Sequence, residues 1–522
     1  MNTKPNSSTD NTISWHPWDA DAFKLAQTAD KPILLMITAQ WCYWCHVMLE
    51  DSYMDPDVIS FVNDRYIPIL VDNDRRPEIN FRYNVGGWPT TAVLTPHGGM
   101  LAGATYLTPD QLLSMLYEIS EAYLQDKPGL YDRARELFLQ HQQRASRVGL
   151  QDVNIEAAPR VLDHGLIESI CRMSVGTYDP VYGGFGYEPK FPNAPILSLM
   201  SHFYARTGEL FFEIIIRKTL DALQASPMHD DQTGGFFRYT KTRDWRNPQY
   251  EKLLEDNIVI ASAYFNAGLS LNEPKYLETF NKTISFIHDT LYDSSSLSYR
   301  GSIGADSDYF RLNSAQRLTE TPPSTDPYSY LSATAKYLSV VLQAKLAQIP
   351  IEIDHSTFDD ILTNLYEKVS SPVTVHAYQG KNAGQPTNLL VDLAAVAESL
   401  GLAIQTNTLS KEQWLSPLTS LIETMMLTYY DERRGGFFDI PQGVRQPGYM
   451  GIREKPLPEN LTAIKALIAY HKALGGAPYA DAIRITLLAF LDVYGEYGEH
   501  SADYGLVASI YLDLAGLDHL SA

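Results

Sequence analysis

The sequence predicts a multidomain protein: a small α/β domain with a mixed sheet, followed by a larger all-α region closed into a toroid. Three observations carry this. At 522 residues the chain exceeds what one hydrophobic core usually serves. Up to about Leu124, apolar runs of strand length alternate with helical segments. From about Glu156 onward, long segments carry apolar residues at helical spacing and a Gly-Gly-aromatic turn recurs between them. The expected boundaries are a disordered tail over 1–14, the α/β domain over 15–125, a helical linker over 126–155 and the toroid over 156–522.

In the first part, Asp19 to Ala29 reads as a short amphipathic helix that Lys31-Pro32 ends. Ile33 to Ile37 suits a buried strand, and Val47, Met48 and Leu49 continue a helix behind Cys42 and Cys45. Val58 to Val62 suggests another helix and Tyr66 to Val71 a second buried strand. Thr90 to Leu94 and Met100 to Ala104 form two more, joined through Thr95-Pro96 and His97-Gly98-Gly99, before a closing helix from Pro109 to Leu124.

In the second part, the clearest helices are Leu166 to Met173, Ile196 to Tyr204, Ile258 to Leu271, Leu331 to Ala347, Leu389 to Ile404, Leu461 to Leu474 and Ile483 to Val493. The turns are Tyr182-Gly183-Gly184-Phe185-Gly186, Gly234-Gly235-Phe236-Phe237 and Gly435-Gly436-Phe437-Phe438, two of them following Tyr178-Asp179 and Tyr430-Asp431. One such turn is only a good helix stop. Three at comparable places point to a repeat closed on itself, an (α/α)6 toroid.

The net charge of -21 repels phosphate backbones and anionic lipid, so no nucleic-acid partner is expected. No apolar stretch is long enough to span a bilayer, and Met1 to Ser14 lacks the apolar core of a secretory signal. Cys42, Cys45 and Cys171 are the only cysteines, which excludes a disulfide framework. These features favour the cytoplasm, where a CxxC serves redox or metal chemistry more often than it staples a fold.

The chemistry-bearing motif is Trp41-Cys42-Tyr43-Trp44-Cys45-His46. Placed after a strand and at a helix N-terminus, the first sulfur gains thiolate character from the positive helix end and attacks a disulfide; the second resolves the mixed disulfide. Cys42 is therefore the expected nucleophile and Cys45 the resolving thiol. Trp41, Tyr43, Trp44 and His46 are expected to contact the substrate, together with Trp88 and Pro89 of Gly87-Trp88-Pro89-Thr90. The order of helix, strand, CxxC-helix, strand, Trp-Pro-Thr and hairpin is that of a thioredoxin-like fold. CxxCH also attaches c-type haem, which needs export and a distal ligand. Metal binding by Cys42, Cys45 and His46 lacks a second Cys/His pair, so neither metal nor cofactor is expected. Inert cysteines are the remaining alternative.

The chain resembles the thioredoxin-domain family that includes spermatogenesis-associated protein 20 and its bacterial relatives. The matching residues are Trp15-His16-Pro17-Trp18, Asp30-Lys31-Pro32-Ile33, Trp44-Cys45-His46-Val47-Met48, Val71-Asp72, Arg76-Pro77, Gly86-Gly87-Trp88-Pro89, Leu94-Thr95-Pro96 and Gly103-Ala104-Thr105-Tyr106. Further on, Pro189-Lys190-Phe191-Pro192, Glu251-Lys252-Leu253-Leu254 with Asp256-Asn257, Asp306 with Asp308, His376-Ala377-Tyr378 and Leu390-Val391-Asp392 continue it. The resemblance covers most of the length and weakens between about 290 and 380. It implies a thioredoxin-like domain fused to an (α/α)6 toroid of six-hairpin glycosidase type, with no defined reaction. Tyr43 stands where relatives often carry His. Met36 occupies the place, six residues before the first cysteine, where many thioredoxins keep a buried acid as a proton relay, which argues against a general reductase.

Toroids of this kind often bind sugars between paired carboxylates. Asp230, Asp231, Glu251, Asp256, Asp306, Asp308, Asp392 and Glu454 are candidates, with Trp245, Tyr250, Phe191 and Tyr378 to stack on rings. Lys190, Glu251, Asp256 and Asn257, with Asp306 and Asp392, are the expected toroid site. No spacing singles out a pair at the roughly 5–5.5 Å or 6.5–9.5 Å that glycoside hydrolysis needs. His376 reads as a structural loop residue and Cys171 as a buried small hydrophobe. The leading expectation is thiol–disulfide exchange with a disulfide-containing protein or small thiol. The alternatives are a carbohydrate-active hydrolase or epimerase, a sugar-binding toroid, and a non-catalytic interaction protein.

Overall fold

The computed structural model describes residues 12–149, 161–351, 353, 356–443 and 446–521. Most of the expected tail, and the end of the expected linker, lie outside them. The chain divides into two compact units, Met1–Ala145 with Gly443–Ile452, and Ser146–Gln442 with Arg453–Ala522.

The first unit runs α1 (Ala20–Ala29), β1 (Ile33–Thr38), α2 (Tyr43–Glu50), α3 (Pro56–Arg65), β2 (Ile67–Asp72), α4 (Pro77–Tyr83), β3 (Thr90–Leu94), β4 (Met100–Ala104), α5 (Pro109–Gln125) and α6 (Lys127–Ala145). The sheet order is β2-β1-β3-β4, with β1 parallel to β2 and antiparallel to β3. Alternation along β1 divides the core. Ile33, Leu35 and Ile37 pack on one face with Phe23, Ile79 and Tyr83, while Leu34 and Met36 pack on the other with Met48, Val58, Val62 and Leu112.

Two expectations about the edges of this unit change. Ile13, within the expected tail, is 6% exposed, and Asn63 ties its neighbours down through Ser14 N–H and the Thr12 carbonyl. A segment from far along the chain also completes this core. Tyr449 stacks on Tyr83 at 5.1 Å, and the buried Arg82 donates to the carbonyls of Tyr449 and Ile452.

The second unit alternates outer and inner helices. It comprises α7 (His164–Val175), α8 (Ala194–Thr207), α9 (Leu210–Gln224), α10 (Leu254–Ser270), α11 (Pro274–Leu291), the short α12 (Ser307–Phe310) and α13 (Ser314–Arg317), α14 (Leu331–Leu346), α15 (Ser356–Val369), α16 (Leu390–Gln405), α17 (Lys411–Tyr429), α18 (Leu457–Leu474), α19 (Ala480–Ala489) and α20 (His500–Ala515). Helices α8, α10, α14, α16, α18 and α20 pack each against the next, and α20 returns to α8, so six helical hairpins close a ring. Arg206 of α8 pairs there with Asp513 of α20. Val161–Asp163 and His519–Ser521 pair as antiparallel strands and clasp the two ends of the unit.

The inner helices are apolar almost all round, as in α16 (LVDLAAVAESLGLAIQ), which is why they occupy the centre. Connections from inner to outer helices are mostly short, as at Gly208-Glu209. Those from outer to inner helices carry the Gly-Gly hairpins, so the hairpins gather at the inner helices' N-terminal end.

The hairpins share one design. Asp179, Asp230 and Asp431 each donate N–H to the second glycine's carbonyl (2.8, 3.1 and 2.9 Å) and accept from the first glycine's N–H (2.9, 2.8 and 2.8 Å). Both glycines are left-handed in every copy, and a Cβ on Gly184 would sit 2.4 Å from Trp245. A buried lysine anchors each aspartate: Lys190 on Asp179 (2.8 Å), Lys252 on Asp230 (2.7 Å) and Lys455 on Asp431 (2.8 Å). Asn257 and Asn460 pin the aromatic residue's peptide by accepting from the N–H of Phe236 and Phe437 and donating to their carbonyls. Asn257→Ala leaves those peptide groups buried and unpaired, so a loss of about 2–3 kcal/mol in the toroid's unfolding free energy is expected by denaturant titration.

Candidate functional site

The first site stands where β1 ends. Thr38 closes the strand, Cys42 N–H donates to the Ala39 carbonyl at 3.0 Å, and Cys42 is the N-cap of α2. Cys42 and Cys45 are joined as a disulfide with Cα atoms 5.2 Å apart, and Cys45 N–H points at Cys42 Sγ at 3.2 Å. Cys42 is 5% exposed and Cys45 fully buried, the order expected of an attacking and a resolving sulfur.

Around the pair, Tyr43 (46% exposed) and Trp44 (44%) stand open to solvent, and Trp44 meets Tyr106 edge-on at 5.4 Å. Trp41 is buried, packs edge-on against Trp88 at 5.6 Å and donates its indole N–H to Asp74 at 2.8 Å. The Trp88–Pro89 peptide is cis, and Trp88 donates to Asn80 Oδ1 at 3.1 Å. His46 is exposed on the first turn of α2. The structure thus gathers Trp41, Trp44, Trp88 and Pro89 around the dithiol end of the sheet, with Tyr43 and His46 outward.

Sequence reading missed an acid here. Met36 is fully buried among apolar side chains, but Asp72, the last residue of β2, pairs in register with Thr38. In a parallel pair it shares a face with Thr38 and, two residues earlier, with Met36 and α2. Its carboxylate accepts from the N–H groups of Asp74 and Arg75 (3.1 Å each), and the backbone of Gln40, two residues before Cys42, favours its charged form. Burial pushes this carboxyl up, against the pull of Arg75, whose Nε lies 3.7 Å away. Its signal was the match at Val71-Asp72, read only as family likeness. Asp72→Asn keeps the shape but weakens the hold on the loop before Cys42. An approximately tenfold slower thiol–disulfide exchange with a displaced pH profile, at little change in melting temperature, is the expected result.

The expected toroid residues are scattered over several roles. Lys190 is fully buried, spent on Asp179 and the Arg243 carbonyl (3.0 Å). It is the hairpin lock, because an ammonium this deep requires a fixed counter-charge. Asn257 is the peptide clamp described above. Asp306 caps the short α12 through the N–H groups of Asp308 and Tyr309. Asp230 is held by Lys252 and by Arg317 at 2.9 Å, Asp231 is exposed, and Trp245 is buried over Gly184. Tyr250 lies on Phe310, and Tyr378 under the Lys368 ammonium at 4.0 Å.

Glu251 adds like charge at Asp256, and Asp392 acts on Lys336, which pairs with Glu255; these partners were not selected by sequence reading. Arg238 lies 3.7 Å from Glu251 and within electrostatic reach of Asp256. Phe191 stacks on Tyr239 at 4.9 Å with the Arg238 guanidinium beside both rings. Glu255, on the first turn of α10, meets Lys336 of α14 at 2.7 Å, and Lys336 also feels Glu459 and Asp392. His376 Nδ1 lies 2.8 Å from Asp392, which accepts from Ser332 N–H at 3.2 Å. His500 and Asp503 of α20 are 3.0 Å apart; burial opposes charge on the ring, but Asp503 and Glu499 outweigh it and hold His500 above its ordinary range. Burial pushes Glu251 up to about 6 and Asp256 up to about 7, with Glu499, Glu255 and Glu251 adding like charge at Asp256. This mixed acid–base cluster draws on the N-terminal halves of five inner helices, α10, α14, α16, α18 and α20. Among the described residues no group of His, Cys, Asp and Glu is placed to hold a metal ion. The histidines and lysines, far apart in sequence, gave no spacing to read.

Residues 6–142 match the Thioredox_DsbH family, described as a protein of unknown function, DUF255. Over 303 residues the chain is 28% identical to human spermatogenesis-associated protein 20, covering 54% of this chain and 37% of that protein. Over 273 residues it is 30% identical to an uncharacterized protein of Caenorhabditis elegans, covering 49% and 36%. The matched part is thus little more than a third of these relatives' length. The crystal structure of a sugar epimerase from a ruminal bacterium covers 68% of this chain and 99% of its own at 12% identity, with a TM-score of 0.50. The chain therefore joins a thioredoxin-like domain to a helical toroid whose fold resembles that of this sugar epimerase structure.

Proposed function

We propose that the first unit carries out thiol–disulfide exchange through Cys42 and Cys45, on a disulfide-containing protein or small thiol. The observation that carries this is the seating of Cys42 at the N-cap of α2, with the fully buried Cys45 one turn behind it. In the reducing direction the Cys42 thiolate attacks one sulfur of the substrate disulfide and the other leaves as a thiol. The Cys45 thiolate then attacks Cys42 Sγ, the second substrate thiol departs, and two electrons have passed from the protein to the substrate. The helix end favours the anionic sulfur in the first step, and Tyr43, Trp44 and Trp88 offer an aromatic border to a peptide substrate, with Trp41 buried behind Trp88. A cytoplasmic setting suits the single remaining thiol, Cys171, which is buried and which burial pushes up to about 12. The test is turnover of a fluorogenic disulfide with glutathione as terminal reductant. A rate above that of glutathione alone supports the reading, and a rate equal to it removes the reading.

The acid–base cluster favours a second activity for the toroid, binding or conversion of a carbohydrate. Glu251 Oε2, Asp256 Oδ2 and Asp392 Oδ2 are buried acceptors with no hydrogen-bond partner among the described residues, and they suit the hydroxyls of a sugar. The Phe191–Tyr239 stack suits the apolar face of its ring. Thermal-shift and calorimetric screening against mono- and disaccharides tests this: saturable binding supports it, and no response from any of them removes it.

A further inference from the structure

We propose that the acid–base cluster at the N-terminal end of the inner helices takes a polyhydroxylated primary amine, an amino sugar in its ammonium form. This rests on the carbohydrate reading above and adds the charge of the ligand. The cluster's own pairings leave negative charge over. Glu255 is matched by Lys336, Asp503 by His500 and Asp392 by His376. Arg238 stands nearest Glu251, at 3.7 Å. Asp256 and Glu499 make no ion pair with any described residue; Glu499 adds like charge at Asp256, and its own charged neighbours are His500 and Asp503.

A second observation points to a bound donor rather than to a solvated acidic face. Glu251 is 2% exposed and Asp392 fully buried, and each keeps one carboxylate oxygen without a hydrogen-bond partner among the described residues. Buried carboxylates in that state favour whatever brings N–H or O–H groups, and a positive charge most of all. The first turn of α10 supplies partial positive charge beneath Glu255 and Asp256. Burial together with Glu499, Glu255 and Glu251 pushes the Asp256 carboxyl up, so on its own it tends to take a proton, and a cation beside it would restore its charged form. An ammonium group between Glu251 and Asp256 would donate to both orphaned oxygens. The sugar ring would then lie toward Phe191 and Tyr239, within reach of Arg238.

The experiment is calorimetry on the full chain with D-glucosamine, D-galactosamine and D-mannosamine, each against its parent hexose, its N-acetyl derivative and spermidine. At least one amine is expected to bind about tenfold or more tightly than both of its uncharged counterparts and than spermidine. That preference should fall in Asp256→Asn and in Glu499→Gln, the latter at an exposed position. Equal or tighter binding of the parent hexoses overturns the proposal and leaves the carbohydrate reading standing. Spermidine binding as tightly as the amino sugars overturns the need for hydroxyls. No heat of binding from any hexose, amine or derivative overturns both the proposal and the reading beneath it.

Discussion

Cys42→Ser is expected to remove disulfide turnover altogether, a fall of more than about a hundredfold to the uncatalysed rate, because no other thiol can take its place. Cys45 is fully buried, and Cys171 is a buried thiol in the other unit. Cys45→Ser should behave differently: Cys42 still attacks, but the mixed disulfide has no resolving partner and accumulates. Non-reducing gels and intact-mass spectrometry distinguish the two, with a stable adduct in Cys45→Ser and none in Cys42→Ser. Equal adduct yields from both variants would place the nucleophile elsewhere.

Asp230→Ala should produce the largest loss of stability in the toroid, about 3–5 kcal/mol by chemical denaturation. The aspartate is 4% exposed and is the counter-charge for two buried cations, Lys252 at 2.7 Å and Arg317 at 2.9 Å. Removing it strands both, whereas a surface pair would cost under about 1 kcal/mol. The same arrangement sets an acid limit. Although burial opposes its ionisation, Lys252 and Arg317 hold Asp230 down at about 2, below the 3.8 of a free carboxyl. A depressed carboxyl contributes stability above its unfolded value and loses it as pH falls through the folded one. Stability of order 2 kcal/mol should therefore disappear between pH 4 and pH 2 in the native chain and be missing from that slope in the variant. An Asp230→Ala chain within 1 kcal/mol of the native one would mean that the hairpins do not hold the ring.

The α/β unit was legible because its strands are continuous apolar runs: Thr90–Leu94 and Met100–Ala104 coincide with β3 and β4, and Pro109 opens α5. The helix α4 escaped because Pro77–Tyr83 (PEINFRY) is short and lies among matched motifs read for likeness alone. In the toroid, five of the six inner helices were visible by their apolar content. Outer helices α9, α11, α15 and α17 escaped because half of each faces solvent. The Gly-Gly turns revealed the repeat, but not that an aspartate and a distant lysine complete each one. His229-Asp230 belongs with the other two aspartates, although no tyrosine precedes it.

The sites divided in the same way. Cys42 and Cys45 stand three residues apart, and that spacing alone marked them as a candidate redox pair. Asp72 reaches the dithiol loop only because β2 lies beside β1 in register. Lys190 was expected beside Glu251 and Asp256 in a polar site, yet its side chain is locked under a hairpin on Asp179, while its neighbour Phe191 stacks on Tyr239. Lys336 pairs with Glu255, and the charges of His500 and Glu499 act on Glu255 and Asp256, only when the ring closes, and no linear pattern records that.

The most direct test of the redox assignment is a titration of the full chain in glutathione buffers from fully reducing to fully oxidising, with thiols trapped by alkylation and read by peptide mass spectrometry. One reversible two-electron transition is expected, confined to the peptide holding Cys42 and Cys45, while Cys171 stays unmodified in the folded chain. Cys42 and Cys45 remaining alkylatable across the whole range, with no disulfide between them at any poise, would contradict it.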